Sequence, residues 1–184
     1  TVLRLSPSGT AAKVSNFPYK TMLDVFEKYN TNNNYYDFSC GWGIRLLSTL
    51  ANNINYFGTD PNNELVPKLK QLADDFRGGT ECKSNVDIRC IGSQEYVGDW
   101  ENKIGLAFSS PPYFDLEHYN VGKQSIDNVN YSEWLNGYWG GTVNNMSKYI
   151  VKGGYLLLNM KNIKKHDTLD DMCDIIQDNG FEFI

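Results

Sequence analysis

Tyr35-Tyr36-Asp37-Phe38-Ser39-Cys40-Gly41-Trp42-Gly43 joins a bulky run to a turn with paired glycines. Residues 35–38 are bulky and mostly apolar, and they read as a buried strand. Gly41 and Gly43 permit a tight turn and let backbone approach a ligand closely. Residues 44–52 follow with Leu46, Leu47 and Leu50 at helical spacing. A strand that passes through a glycine turn into a helix is the opening half of a βαβ unit.

The same alternation recurs on either side. Residues 54–58 read as a second strand ending at Thr59-Asp60-Pro61-Asn62. Residues 65–76 read as a helix, with Pro67 admissible only in its first turn, and Gly78-Gly79 breaks it. Residues 86–91, 104–108 and 155–160 read as further strands, the last entered through a Lys152-Gly153-Gly154 turn. Residues 181–184 begin a sixth. Helices are expected at 21–29, where Met22, Val25, Phe26 and Tyr29 share a face, and at 168–177, stopped by Asn179-Gly180. Between them, 132–150 is a helical stretch weakened by Gly137, Gly140 and Gly141. The pattern predicts one α/β domain over 1–184: a doubly wound, mainly parallel sheet with helices on both faces. Residues 1–14 read as an N-terminal arm. The abundant asparagines read as compositional bias.

Bulk properties narrow the class. A chain of 184 residues can bury a sizeable core, and 41% hydrophobic with 21% charged residues is ordinary for a globular domain. A net charge of −5 gives no general attraction to nucleic acid. Cys40, Cys82, Cys90 and Cys173 show no CxxC spacing and have only His118 and His166 to join them. No metal site is expected, and reduced thiols in a cytoplasmic protein are. No apolar run is long enough to span a membrane, and none reads as a signal peptide. The start at Thr1 and the abrupt end in Phe181-Glu-Phe-Ile184 read as a fragment.

Ser110-Pro111-Pro112-Tyr113 carries the most specific chemistry. Two prolines directly after an apolar run cannot continue a sheet ladder, so they make a stiff extended turn at a strand end. The turn offers a small hydroxyl, a free carbonyl and an aromatic face, a set suited to a planar group bearing an amine. Asp60, at the end of strand two, has two uses: taking ribose hydroxyls or capping the next helix. Gly92-Ser93-Gln94-Glu95-Tyr96, after strand three, can meet an adenine edge or form a surface turn. Asp37 at its strand end can accept from an ammonium or a ribose.

Asp37-x-Ser39-x-Gly41-x-Gly43 followed by Ser110-Pro111-Pro112-Tyr113 resembles the paired signature motifs of the S-adenosylmethionine-dependent DNA amino-methyltransferases. Asn16-Phe17-Pro18 looks like that family's additional cofactor motif. The resemblance covers residues 15–184, with the last helix and strand matching only the general fold. It implies a Rossmann-like methyltransferase sheet that lacks its last strand here. It implies S-adenosyl-L-methionine as cofactor, held by Phe17, Pro18, Asp37, Ser39, Gly41, Gly43, Asp60, Ser93, Gln94 and Ser109. Ser110, Pro111, Pro112 and Tyr113 would be catalytic, and Phe114, Glu117 and Tyr119 would meet the substrate base. Residues 115–131 would form a mobile cover over that base, with Lys161, Lys164 and Lys165 near phosphates or simply solvated. Serine in the first motif position tilts the target toward cytosine N4 over adenine N6. DNA is the implied partner, with sequence recognition supplied by a segment or chain not evident here, in a prokaryotic or phage restriction-modification setting. Methylation of RNA guanine or protein glutamine, and a non-catalytic binding module, are the alternatives. Oligomeric state is not indicated.

Overall fold

A computed structural model describes residues 17–114, 129–162 and 166–184. The expected arm at 1–14 lies outside them. Among the described residues the chain runs α1 (Tyr19–Tyr29), β1 (Asn34–Asp37), α2 (Ile44–Ala51), β2 (Asn55–Thr59), α3 (Leu65–Gly78), β3 (Val86–Arg89) and β4 (Ile104–Ser109). It continues through α4 (Tyr131–Glu133), a π-helical segment (Trp134–Gly140), α5 (Gly141–Tyr149), β5 (Ile150–Leu158) and α6 (Thr168–Asp178). The strands form one sheet in the order β3-β2-β1-β4-β5, and every pairing is parallel. Parallel pairing requires crossover connections; each runs through a helix except that between β3 and β4, which holds only a 3-10 turn at Gly98–Trp100.

Side-chain alternation along the strands splits the core in two. Tyr35, Leu106 and Phe108 pack with Met22, Val25, Leu46, Leu50 and Leu69, so α1, α2 and α3 cover one face. Tyr36 and Ala107 pack with Trp134, Trp139, Val143, Met146 and Met172 on the other. Trp134 and Trp139 are both buried. The expected face of α1 is the buried one.

Three expectations are corrected. Residues 181–184 form no strand; the Phe181 N–H is committed to the Ile176 carbonyl at 3.3 Å, closing the end of α6. β5 starts at Ile150, earlier than residue 155, because the ladder with β4 pairs Ile104 with Ile150 and then Leu106 with Tyr155. The Lys152-Gly153-Gly154 turn is thus an insertion inside the strand, with Gly153 at φ 80°. Gly154 lies so close to β4 that a Cβ there would stand 2.9 Å from the Gly105 carbonyl oxygen.

Several of the asparagines have structural roles. Asn33, Asn53 and Asn102 hold left-handed backbone at φ 63°, 53° and 51°, a region asparagine tolerates better than most residues. Asn55 Nδ2 donates to Asn34 Oδ1 at 2.8 Å, and Asn34 Nδ2 donates to the Lys103 carbonyl at 2.7 Å. These amides tie together the amino ends of β1, β2 and β4. Among the described residues no helix is long and apolar enough to cross a membrane.

Candidate ligand site at the carboxyl edge of the sheet

Chain direction across the sheet reverses between β1 and β4, with β2 and β3 to one side and β5 to the other. Open parallel sheets bind ligands in the crevice above such a point. The loop after β1 is built for close approach: Gly41 and Gly43 sit at φ 55° and 85°. A Cβ on Gly43 would also stand 2.9 Å from Leu69 Cδ2. Cys40 N–H donates to the Thr59 carbonyl at 3.3 Å, and Gly41 N–H to Asp60 Oδ2 at 3.3 Å, so this loop is pinned to the end of β2.

Asp60 is partly exposed on that rim. Burial raises its carboxyl above the ordinary value, while backbone N–H groups of Asn62 and Gly41 act the other way. Asn62, not Asp60, caps α3: its Oδ1 accepts from the N–H groups of Glu64 and Leu65, both at 3.0 Å. Asp60 Oδ1 accepts from the Asn62 N–H at 3.0 Å.

Asp37 departs from its expected role. It is fully buried, and Arg45 grips it in a two-pronged pair, Nε to Oδ2 at 2.9 Å and Nη2 to Oδ1 at 3.1 Å. Tyr56 Oη donates to Oδ2 at 3.0 Å and Ser109 Oγ to Oδ1 at 2.7 Å. Its oxygens are thus occupied by the chain itself, and Asp37 is a keystone under the site rather than a free acceptor for an ammonium. Burial opposes the Arg45 charge, but the Asp37 carboxylate outweighs it and holds the guanidinium firmly protonated. Arg45 Nη2 also donates to the Ser39 carbonyl and, at 3.3 Å, to Ser109 Oγ. One side chain therefore ties the glycine loop to the end of β4. The sequence signal for it was a lone cation in the first turn of a short apolar helix, where the helix dipole disfavours positive charge.

Ser109 is buried beneath the crevice, whereas Ser110 sits on its rim. Asn159, at the end of β5, donates its backbone N–H to the Ser109 carbonyl at 3.0 Å and its Nδ2 to Ser110 Oγ at 2.7 Å. Sequence reading missed Asn159. Phe17 packs edge-on against Phe108, ring centroids 5.3 Å apart, which brings the segment before α1 to the end of β4. Pro18 is exposed at the start of α1.

Phe114 closes the other side. Its ring meets Tyr131 at 5.5 Å, Trp134 at 5.8 Å and His166 at 6.2 Å. Tyr131 stacks flat on His166 at 3.8 Å and donates to Asp171 Oδ2 at 2.5 Å. Tyr113 is half-buried against the same core. Of the expected cover at 115–131, residues 115–128 lie outside the described residues, with Glu117 and Tyr119 among them, as do Lys164 and Lys165. Tyr131 itself opens α4 behind an Asn130–Glu133 capping box. Lys161 is exposed.

Ser93 does not offer its side chain to a ligand. It is buried, its hydroxyl meets Thr142 Oγ1 at 2.7 Å, and its carbonyl accepts from Asn145 Nδ2 at 3.0 Å. It clamps the loop after β3 onto α5. Gln94 beside it is exposed and folded over Gly92, where a Cβ would stand 2.4 Å from Gln94 Oε1. Tyr138, on the π-helical segment, completes the wall. Burial pushes its phenol up to about 12; Ser93 and Ser39 act against this and the Asp60 carboxylate adds to it.

No protein-family model and no curated protein matches the sequence. Solved structures do match in shape. The [4+2]-cyclase SpnF superposes with a TM-score of 0.61 at 15% identity, over 90% of this chain and 58% of that one. A TehB-like SAM-dependent methyltransferase from Corynebacterium glutamicum gives 0.57 at 11%, over 88% and 71%. A geranyl diphosphate methyltransferase in complex with SAM gives 0.51 at 10%, over 76% and 46%. The chain spans little more than half the length of the cyclase. At these identities the likeness establishes the Rossmann-like methyltransferase fold that the sequence resemblance implied.

Proposed function

We propose that this domain transfers a methyl group from S-adenosylmethionine to the exocyclic amine of a nucleobase in DNA, with cytosine N4 favoured over adenine N6. The observation that carries the reading is positional. Ser110-Pro111-Pro112-Tyr113 leaves β4 directly across the reversal point from Gly41, Gly43 and Asp60. Donor loop and amine-holding turn therefore face one crevice.

The residues present fit the donor. Asp60 presents a carboxylate to a ribose diol, and the left-handed glycines let backbone approach the ligand. When bound, the donor supplies an electrophilic methyl carbon on a sulfonium. The chain's task is to make a poor nucleophile attack it. The amine's lone pair is delocalised into its ring; accepting its N–H groups at Ser110 Oγ and the Pro111 carbonyl favours a tetrahedral nitrogen with its lone pair aimed at that carbon. Asn159 Nδ2 fixes the Ser110 hydroxyl for this role. Tyr113 and Phe114 supply aromatic faces for the base. The new C–N bond forms as the S–C bond breaks, and the nitrogen's surplus proton leaves to water, since serine is a weak base. Rate comes from positioning and local electrostatics. The base must leave its duplex to reach the turn.

DNA treated with the protein and S-adenosylmethionine, digested to nucleosides and examined by mass spectrometry, tests this. N4-methylcytosine is expected. N6-methyladenine would keep the reaction and change the base, and methyl groups found only on RNA or protein would overturn the DNA assignment.

A further inference from the structure

Two buried polar atoms among the described residues of the π-helical segment lack hydrogen-bond partners: the Tyr138 hydroxyl and the Trp134 indole N–H. Tyr138 is 7% exposed, so water does not readily satisfy it. Native structures leave few such groups, and each calls for an explanation. A π-helical turn is itself rare and concentrated at functional sites.

Contacts on both sides place the turn that carries Tyr138. Its carbonyl accepts from Thr142 Oγ1 at 2.8 Å, and that hydroxyl meets Ser93 Oγ at 2.7 Å. A Cβ on Gly141 would stand 2.9 Å from Gln94 Cβ, so the helix is pressed onto the loop after β3. Trp139 packs on Phe38 at 6.0 Å, which docks the same turn on the end of β1. Ser39 and Ser93 both lie close enough to act on the phenol, yet neither stands in hydrogen-bonding geometry with it. The orphan hydroxyl is thus held between the loops after β1 and β3, within reach of the field of Asp60. Trp134 differs: its ring packs on Phe114, toward the amine-holding turn.

We propose that Tyr138 is a ligand-binding residue whose hydroxyl hydrogen-bonds the nucleoside end of the methyl donor, on the base and ribose side rather than the amino-acid side. This rests on the methyltransferase reading above. It assigns a role to the helix between β4 and β5, which no motif marks. In such sheets the acidic residue after the second strand meets the ribose, and here Asp60 lies near enough to act on the Tyr138 phenol. The amino-acid end belongs nearer β4, where Arg45 and Ser109 stand.

Calorimetry with S-adenosylhomocysteine and with 5′-methylthioadenosine, which lacks the amino acid, tests the assignment in wild type and Tyr138→Phe. The variant is expected to bind both ligands about three- to tenfold more weakly, the range for one lost neutral hydrogen bond. Its ligand-free melting temperature should hold or rise, because an unsatisfied buried hydroxyl has been removed. Equal affinity in both proteins would overturn the proposal. So would a loss confined to S-adenosylhomocysteine, or a drop in ligand-free melting temperature, which would mark the hydroxyl as structural. If wild type binds neither ligand, the methyltransferase reading itself fails; if wild type binds and only the comparison fails, the fault lies with Tyr138 alone.

Discussion

Ser109 Oγ gives its proton to the buried Asp37 at 2.7 Å, while the next hydroxyl along, Ser110, receives Asn159 Nδ2 at the same distance on the crevice rim. Adjacent serines therefore separate structure from chemistry. Ser109→Ala deprives a buried carboxylate of a donor and should lower unfolding free energy by roughly 1–3 kcal/mol in urea titration. Ser110→Ala breaks no buried pair. It should leave stability and S-adenosylhomocysteine affinity in place while methylation rate falls on the order of 100-fold or more. A Ser110→Ala enzyme of normal rate would sink the proposed role of the turn. Asp60 gives a second test at this scale. Burial raises its carboxyl in the folded state, so it binds its proton more tightly there than when unfolded. Its contribution to stability is thus complete below the ordinary carboxylate pKa and is lost as pH rises through the raised folded value. Ligand binding runs the opposite way, because accepting ribose hydroxyls needs the charged form. S-adenosylhomocysteine affinity should decline on acidification at a higher pH than an ordinary aspartate, near about 4, would give. Asp60→Asn should bind weakly with that slope removed, and a wild-type affinity flat down to about pH 4 would exclude the ribose contact.

Glycines test the elements. Gly43 combines left-handed backbone with close leucine neighbours, Leu69 Cδ2 and Leu72 Cδ2 at 2.9 and 3.0 Å from a built Cβ. Gly43→Ala should cost about 1–2 kcal/mol from backbone handedness alone and weaken ligand binding by shifting the loop. Gly78, at the end of α3, has nothing within 4 Å and no positive φ. Gly78→Ala should be neutral or stabilise by about 0.4–1 kcal/mol through the unfolded chain. Urea unfolding of the pair checks both, and equal effects would show that the loop is not a strained element. These local devices are what the sequence displays well. A glycine turn, a double proline and a 3.6-residue apolar stripe each declare themselves within a few residues. Pairings across the fold do not. Arg45 meets Ser109 64 positions away, and Asn159 meets Ser110 49 positions away. Helical periodicity picked out Leu46 and Leu50 and passed over the arginine just before them. Gly153 and Gly154 read as the end of one element because nothing nearby reveals that β4 continues beside them. The π turn was legible only as weakness, through Gly137 and Gly140, and its buried phenol not at all.

The whole molecule sets donor and acceptor features on one edge of the sheet, with an ion pair sealed beneath them and a net charge of −5 around them. That division has a consequence for DNA. Nonspecific grip on a duplex comes from lysine and arginine neutralising phosphates. Arg45 is unavailable for it, being locked to Asp37, and Arg89 is shared between Asp87 at 2.6 Å and Asp99 at 3.8 Å. The proposed chemistry asks for no such grip, because activating an exocyclic amine needs two acceptors, a stacking face and an aimed methyl group. On the proposed reading, methyl transfer and DNA capture are therefore separable properties. Fluorescence anisotropy with a labelled duplex should give dissociation constants no tighter than the nonspecific range of about 10⁻⁴ to 10⁻⁶ M at physiological salt. The same preparation should bind S-adenosylhomocysteine by calorimetry. Methylation should then be limited by KM for DNA rather than by kcat, rising steeply as salt is lowered toward about 50 mM while the rate at saturating DNA stays level. Nanomolar, salt-insensitive binding by this domain alone would refute the separation.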